Sequence, residues 1–146
     1  MEFKRFNENE IDKCVELFIN VFSKEPWNDR WPSTEKAKEY LNDIINTPGF
    51  KGYVAYKDGE IIGLCFGHVK KWWSGDEYFI NEMCIDTKLQ KTGIGSKLMD
   101  FTKSNLLKEK VKTITLITER NTIAERYYIK NGFKEVKENT FMFNSL

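Results

Sequence analysis

The stretch Gln90–Gly95, which reads QKTGIG, decides the fold of this chain because of the elements that flank it. It follows Tyr78–Asp86, an apolar run (YFINEMCID) that predicts a strand, and precedes Ser96–Lys110, whose pattern predicts a helix. Glycines at such a junction expose backbone N–H groups at the start of the helix, where the helix dipole also favours negative charge. Because Gly93 and Gly95 have no Cβ, a ligand can approach the main chain closely. The stretch therefore predicts a site for a phosphate-bearing ligand.

Length and composition describe an ordinary globular chain. Its 146 residues are enough for one domain with a hydrophobic core, so we expect residues 1–146 to form a single domain. The net charge of +1 gives no reason to expect a nucleic-acid partner, and the apolar stretches are too short to span a membrane. The first ten residues, MEFKRFNENE, lack the apolar segment of a secretory signal. We therefore expect a cytoplasmic protein that binds neither nucleic acid nor membrane.

The cysteines and the single histidine argue against a metal centre. Cys14, Cys65 and Cys84 each lie in an apolar stretch, and none forms a CxxC pair. An odd number of cysteines without that spacing fits reduced thiols better than a disulfide framework or a zinc site. His68 has no second histidine to share a metal ion with. We therefore expect no metal.

The rest of the chain predicts helices and strands in a recognisable order. Residues 8–23 carry apolar side chains at spacings of three and four, which predicts a helix. Ser33 is the candidate N-cap of a second helix, whose inward positions are Ala37, Tyr40, Leu41, Ile44 and Ile45. Asp58 and Gly59 separate two apolar runs and predict a hairpin. Beyond the helix that follows the glycine stretch, the pattern predicts a strand, a helix and two closing strands, over Lys112–Thr118, Asn121–Asn131, Phe133–Val136 and Thr140–Phe143.

The complete order is β-α-α-β-β-β-α-β-α-β-β. Hairpin material comes first and a β-α-β unit follows, a combination typical of a mixed sheet. We therefore predict an α/β (α+β) domain with a mostly antiparallel central sheet of about seven strands and helices on both faces.

Several phosphate sites begin with a glycine pair, and spacing excludes some of them. The chain contains no GxxxxGK[ST] sequence, so a P-loop is excluded. Glu119 stands where a ribose-binding carboxylate of a dinucleotide site would lie, but Leu98 occupies the third glycine position of that fingerprint. The chain after Glu119 is also too short for the remaining strands of a dinucleotide fold. Taken alone, the stretch also fits a tight turn without a ligand.

A second segment narrows these alternatives. Gln90-x-x-Gly93-x-Gly95 matches the pyrophosphate-loop motif of the GNAT superfamily of N-acetyltransferases, and Asn121–Phe133 (NTIAERYYIKNGF) matches that family's second signature in order and spacing. The strand before the loop and the order of elements are also similar to the family. The resemblance covers essentially the whole chain and implies a GNAT-like fold.

The resemblance implies acetyl-CoA as co-substrate. The pyrophosphate would lie on backbone N–H groups of Lys91–Ser96, and the pantetheine arm would pair with the backbone of Met83–Ile85. A backbone N–H near Cys84 would stabilise the oxyanion, and Asn121 would bond the cofactor near its thiol. The residues implied in cofactor binding are Met83, Cys84, Ile85, Gln90, Lys91, Thr92, Gly93, Ile94, Gly95, Ser96, Asn121 and Tyr128.

The chemistry implied is direct transfer of the acetyl group from the CoA thioester to a primary amine. Tyr128 stands at the family's general-acid position, and its neighbour Tyr127 is the structural counterpart. Glu82 is the candidate base, directly or through water, because a carboxylate in an apolar strand is costly to bury and burial raises its pKa toward neutrality. The alternative is a solvent-facing or salt-bridged glutamate.

The acceptor site is predicted from aromatic and acidic residues. Tryptophans beside carboxylates can hold a cationic amine, and the candidates are Trp27, Trp31, His68, Trp72 and Glu82. Trp27 and Trp31 equally fit loop anchors, His68 a structural histidine, and the adjacent tryptophans at 72 and 73 a homodimer contact. The acceptor class stays open among aminoglycosides, polyamines, amino acids and protein amines. The alternative functions are a transferase for a longer acyl-CoA and a non-catalytic acyl-CoA-binding or sensor domain.

Overall fold

A computed structural model describes residues 1–146 of the chain. Four helices and five strands follow one another, with short 3-10 turns before the first and third helices. The strands are β1 (Glu2–Arg5), β2 (Phe50–Lys57), β3 (Glu60–Lys70), β4 (Glu77–Ile85) and β5 (Thr113–Thr115). The helices are α1 (Ile11–Phe22), α2 (Thr34–Ile45), α3 (Ile94–Lys108) and α4 (Ile123–Lys130).

The five strands form one mixed sheet in the order β1-β2-β3-β4-β5. The first three pairings are antiparallel and only β4–β5 is parallel, because α3 carries the chain back across the sheet between them. Asp58 and Gly59 both have positive φ, as the tight hairpin turn between β2 and β3 requires. The mixed, mostly antiparallel sheet that the sequence predicts is confirmed.

Helices cover both faces of the sheet. On one face, α1 and α2 bury their apolar sides in a core cluster that includes Leu64 and Phe66 of β3. On the other face, α3 packs on β2 and β3, where the ring of Phe101 lies 6.1 Å from that of Tyr53. Successive residues of a strand point to opposite faces, so a strand that is apolar at every position is buried between two helical layers. The continuous burial of β3 follows from that arrangement.

The second helix begins where the sequence predicts. The Ser33 hydroxyl accepts a hydrogen bond from the Lys36 N–H at 3.0 Å, which caps one of the unpaired donors of the first turn. Ala37, Leu41 and Ile44 are buried on the face that the spacing predicts. The first helix differs slightly, because the predicted helix from residue 8 opens with a 3-10 turn over Glu8–Glu10.

The predicted strand count is wrong at the C-terminal end. The sheet has five strands rather than about seven, since Phe133–Val136 and Thr140–Phe143 form no strand and only Thr113–Thr115 of the predicted 112–118 strand pairs with β4. An alternating apolar pattern reports a preference for a pleated surface, but a strand forms only where a neighbouring edge supplies hydrogen bonds. Phe141, Met142 and Phe143 are instead exposed.

The chain divides into two compact units, Met1–Leu116 and Ile117–Leu146, which are described separately. The first unit holds the whole sheet with α1, α2 and α3, and the second holds α4 and the C-terminal segment. None of the helices combines the length and the apolar character that a membrane-spanning helix requires.

Candidate functional site

A β-bulge in β4 sets the direction of Glu82. In the pairing with β3, Glu82 lies opposite Phe66 and Ile80 lies opposite Gly67, so Asn81 is an extra residue without a partner across the ladder. Tyr78 and Cys84 would face the same way in a regular strand. Tyr78 instead packs against Tyr53 on the α3 face, whereas Cys84 joins the core beneath α1 and α2. The bulge therefore turns the second half of β4, including Glu82, toward the α1–α2 face.

Tyr40 of α2 meets the carboxylate of Glu82 on that face. Its hydroxyl donates a hydrogen bond of 2.5 Å to Glu82 Oε1. The phenol ring is itself held by aromatic neighbours, with the ring of Trp31 5.2 Å away and that of Phe18 5.8 Å away. The carboxylate therefore contacts an aromatic cluster formed by Tyr40, Trp31 and Phe18, and the Tyr40 hydroxyl is its hydrogen-bond donor.

Burial changes the acidity of this pair. It raises the pKa of Glu82 to about 7, while the hydrogen bond from Tyr40 lowers that pKa and the negative charge of Asp29 raises it. Burial and the neighbouring Glu82 raise the pKa of Tyr40 above its ordinary value, so the phenol stays neutral and remains a donor. A carboxylate that is about half ionised at neutral pH can accept a proton and release it, as a general base must.

The loop between α1 and α2 carries two of the predicted acceptor residues, Trp27 and Trp31, and it packs on α1. The ring of Trp27 packs 5.6 Å from that of Phe22, and the ring of Trp31 packs 5.5 Å from that of Phe18. The Asp29 N–H donates to the Phe22 carbonyl at 2.8 Å, which ties the loop to the end of α1. Both tryptophans therefore anchor the loop, and the exposed side chain of Asp29 lies between them in sequence.

The other two predicted acceptor residues lie on β3 and on the turn after it. His68 Nδ1 is 2.9 Å from Oδ1 of Asn81, the bulge residue, and its ring lies 5.8 Å from that of Phe79. Trp72 is exposed on the turn between β3 and β4. The structure thus places His68 in contact with Asn81, the bulge residue next to Glu82. Trp72, in contrast, is about half exposed to solvent.

The glycine stretch forms the junction between β4 and α3, and the helix begins at Ile94, before the predicted Ser96, so Gly95 lies in its first turn. Lys91 and Gly93 both have positive φ, and Gly93 is the N-cap of α3. Two side chains of the loop donate hydrogen bonds to main-chain carbonyls: Gln90 Nε2 to that of Ile85 at 3.2 Å, and Thr92 Oγ1 to that of Leu89 at 2.5 Å. The side chain of Gln90 therefore fastens the loop to the end of β4.

The start of α3 suits a phosphate group. No side chain caps this 15-residue helix at Gly93, so its positive end is not neutralised by the protein there. A Cβ added to Gly93 would meet no protein atom within 4 Å, which leaves open space above the loop. An uncapped helix start beside open space is the arrangement that binds phosphate oxygens through main-chain N–H groups.

The strand segment beside the loop offers its backbone rather than its side chains. The Cys84 thiol is buried in the core, and burial raises its pKa well above the ordinary value, so it is not a nucleophile. The parallel pairing of β5 with β4 ends at Phe79, whereas β4 continues to Ile85. The segment Met83–Ile85 therefore extends beyond the end of the neighbouring strand.

The second unit carries the other two predicted residues. Asn121 adopts a positive φ, and its N–H donates to Glu125 Oε1 at 3.2 Å just before Thr122 caps α4. The Tyr128 ring lies 5.1 Å from that of Tyr127 and 5.4 Å from that of Phe133. Gly132, with positive φ, follows the C-cap residue Asn131, a position where glycine commonly ends a helix.

Sequence reasoning missed the contact between Tyr40 and Glu82. The spacing of α2 placed Tyr40 on an apolar inward face, and nothing in the sequence connects it with a residue 42 positions away. An inward tyrosine does carry a hydroxyl that seeks a partner, which is the one available signal.

Comparison with known proteins identifies the family. Residues 48–135 match the family model described as "Acetyltransferase (GNAT) domain". A comparison with curated proteins finds no match.

Solved structures share the fold at low sequence identity. An aminoglycoside acetyltransferase, meta-AAC0020, from an uncultured soil metagenomic sample, solved with sisomicin, is 20% identical with a TM-score of 0.78, over 99% of this chain and 95% of its own. A possible acetyltransferase from Clostridium difficile 630 is 16% identical with a TM-score of 0.81, over 99% and 97%. AAC(6')-Iy, solved with the bisubstrate analogue CoA-S-monomethyl-acetylneamine, is 14% identical with a TM-score of 0.75, over 99% and 98%. With the family model covering most of the sequence, this chain belongs to the GNAT acetyltransferase family.

Proposed function

We propose that this protein is an acetyl-CoA-dependent N-acetyltransferase that transfers the acetyl group directly to a primary amine of a small-molecule acceptor. The observation that carries the proposal is the Glu82 carboxylate, whose pKa is raised to about 7 on the strand that leads into the uncapped start of α3. A proton acceptor therefore stands on the strand that leads into the proposed phosphate-binding turn, as acyl transfer from a CoA thioester to an amine needs.

The co-substrate is held mainly by backbone groups. In this proposal the N–H groups of Lys91–Ser96 bind the pyrophosphate of acetyl-CoA, because the open space over Gly93 admits its oxygens. The pantetheine arm lies along Met83–Ile85, past the end of the β4–β5 pairing, and bonds to the strand as an added strand would. Asn121 is assigned its contact near the thiol by its place in the second family motif.

Acyl transfer proceeds through proton transfers at both ends of the reaction. Glu82, directly or through one water, accepts a proton from the acceptor ammonium, since only the neutral amine has a lone pair for attack. The nitrogen then attacks the thioester carbonyl, and the backbone N–H near Cys84 stabilises the negative oxygen. The carbonyl re-forms as the C–S bond of this intermediate breaks, and Tyr128, assigned as the acid by its place in the second family motif, donates a proton to the departing thiolate. The nitrogen loses its second proton to solvent, which leaves a neutral amide, and solvent returns a proton to the Tyr128 phenolate.

The acceptor is a small amine that carries positive charge. One solved structure of this fold is an aminoglycoside acetyltransferase in complex with sisomicin, and another is described in complex with the bisubstrate analogue CoA-S-monomethyl-acetylneamine. In this chain the aromatic loop with Trp27 and Trp31 and the carboxylates of Asp29 and Glu82 suit a cationic ligand. These features support a polycationic small molecule over a protein amine.

Thiol release tests the proposal. Purified protein is mixed with acetyl-CoA and a panel of aminoglycosides, polyamines, amino acids and lysine peptides, and free CoA is measured. We expect release that depends on one class of amine, with the N-acetyl product identified by mass spectrometry. A panel of longer acyl-CoA thioesters run in parallel identifies a preference for another acyl chain. Binding of CoA without turnover on any amine or thioester would favour the non-catalytic sensor instead.

A further inference from the structure

We propose that Tyr40 is a positioning residue for the candidate base: its hydroxyl fixes one oxygen of Glu82 so that the other faces the acceptor amine. This inference rests on the proposed function, because it assigns a partner to the base of that reaction. It adds a residue that neither family motif contains, since Tyr40 lies on α2, far in sequence from both.

The geometry gives Tyr40 this role. Its hydroxyl bonds Glu82 Oε1 at 2.5 Å, so one carboxylate oxygen has a fixed donor. A carboxylate has two oxygens, and a proton acceptor needs only one of them. The ring of Phe18 on α1 and the ring of Trp31 in the loop after it both pack against the phenol, which limits the freedom of Tyr40 to turn away. The bonded pair is thus fixed on the helix side as well as on the strand side.

The bulge makes this pairing possible. If β4 were regular, with Asn81 paired across the ladder, Glu82 would share a face with Tyr78, on the side of α3, and would be out of reach of α2. The bulge therefore sets the face of the sheet on which Glu82 lies, and Tyr40 sets which of its carboxylate oxygens is hydrogen-bonded.

The polar and charged groups around Glu82 have opposite effects on its pKa. From α2, the Tyr40 hydroxyl stabilises the ionised carboxylate and lowers its pKa. From the loop after α1, the negative charge of Asp29 destabilises it and raises its pKa. On β4 itself, the buried Cys84 thiol stays protonated and adds no charge, and Phe66 opposite on β3 is apolar. Removal of the two polar partners should therefore move the titration of Glu82 in opposite directions.

Two variants test this arrangement in the full-length protein. Tyr40→Phe keeps the ring that packs on Trp31 and removes only the hydroxyl, and Asp29→Asn removes the charge from an exposed side chain. The titration of Glu82 is followed by carboxyl-carbon NMR without substrates, and kcat/KM is measured against pH with the amine found by thiol release. Both readouts are independent of whether a variant is merely less stable, provided that its fold is intact by circular dichroism.

We expect the Glu82 midpoint to rise in Tyr40→Phe and to fall in Asp29→Asn. The acidic limb of the kcat/KM profile should move with this midpoint. At pH values below the midpoint, each pH unit by which the pKa of Glu82 rises lowers the ionised fraction of Glu82 about tenfold. At constant protonation, loss of the fixed oxygen should lower kcat more than it raises KM, since orientation is felt in the transition state.

The chain offers a matched control. The Tyr56 hydroxyl also bonds a glutamate, Glu10, so Tyr56→Phe removes a second tyrosine–glutamate bond that does not involve Glu82. It should leave the Glu82 titration and the pH limb in place.

The possible results separate the two proposals. An unchanged Glu82 titration in Tyr40→Phe would overturn the positioning role, whatever the activity. A shifted titration with an unchanged pH profile and unchanged kcat would overturn it as well, because Glu82 would then not be the group that limits the rate. If wild-type protein released no thiol with any amine, the proposed function itself would fail, and the positioning role for that reaction would fall with it.

Discussion

Glu82 lies directly opposite Phe66 across the β3–β4 pairing, one residue beyond a bulge that leaves Asn81 without a partner. This single extra residue reverses the alternation of β4 and places the carboxylate beneath α2 instead of α3. Glu82 and Met83–Ile85 are consecutive in β4, so the proposed base directly adjoins the backbone that we propose binds the pantetheine arm.

The pH dependence of the reaction should report Glu82. Burial raises its pKa to about 7, and the base must be ionised to accept a proton, so we expect kcat/KM to rise with pH through about 7 and to be lost below it. Glu82→Gln should remove this limb and most of the activity. Glu77→Gln, at the other end of the same strand, is the matched control and should keep the limb. A wild-type profile without an ionisation near neutrality would contradict the base role.

The same carboxylate should make the protein less stable as pH rises. Because the folded pKa of Glu82 is raised from 4.5 to about 7, the folded state binds the proton more tightly than the unfolded state. Stability from this group is present below about 4.5 and is lost as pH rises through about 7. Glu82→Gln should therefore be more stable than wild type at pH 8, by about 1 to 3 kcal/mol. The gain should shrink toward pH 5 in urea unfolding; a gain independent of pH would contradict the assignment.

Gly93 should be required for the co-substrate more than for the fold. Gly93→Ala places a methyl group in the open space over the start of α3, so we expect at least about a tenfold higher Kd for acetyl-CoA. Its φ of +86° also adds strain of about 1 kcal/mol. Gly59→Ala has nearly the same strain, with φ of +80° and equally open surroundings, but lies in the β2–β3 turn. Calorimetric titration should show weaker binding only in Gly93→Ala, and equal weakening in both would contradict the site.

Tyr128 and its neighbour Tyr127 can be separated by deletion of one hydroxyl at a time. If Tyr128 is the general acid, Tyr128→Phe should lower kcat by about a hundredfold and raise the Kd for CoA by much less, because the main loss is the proton donor for the departing thiolate. Tyr127→Phe keeps the ring contact with Tyr128 and should retain most of the activity. Stopped-time assays with the identified amine measure both. An equal loss in the two variants would point to packing within α4 instead.

The sequence was sufficient where local chemistry decides the conformation. Ser33 caps α2, Asp58 and Gly59 make the hairpin turn, and Gly93 begins α3 with positive φ, as their residue types predict. Each of these outcomes depends on interactions within a few residues, so neighbouring sequence contains the information. The family also follows from motifs that are local in this sense.

The sequence was insufficient at the C-terminal end and at the bulge. Thr140–Phe143 has the alternation of a strand, but strand formation depends on a partner edge that local sequence does not supply. Asn81 carries no mark that distinguishes a bulge residue from a regular one, because the extra position exists only relative to β3.

By itself, the sequence therefore determined the order of elements from β1 through α4, the glycine turn between β4 and α3, and the residues that the family's motifs name. Only the tertiary structure decided which face of β4 carries Glu82, that Tyr40 is its hydrogen-bond partner and that Trp31 packs behind that tyrosine. The physical reason is that a turn or a helix cap is set by neighbours along the chain. The register between two strands, and a contact between a strand and a helix 42 residues apart, are set by packing of the whole core.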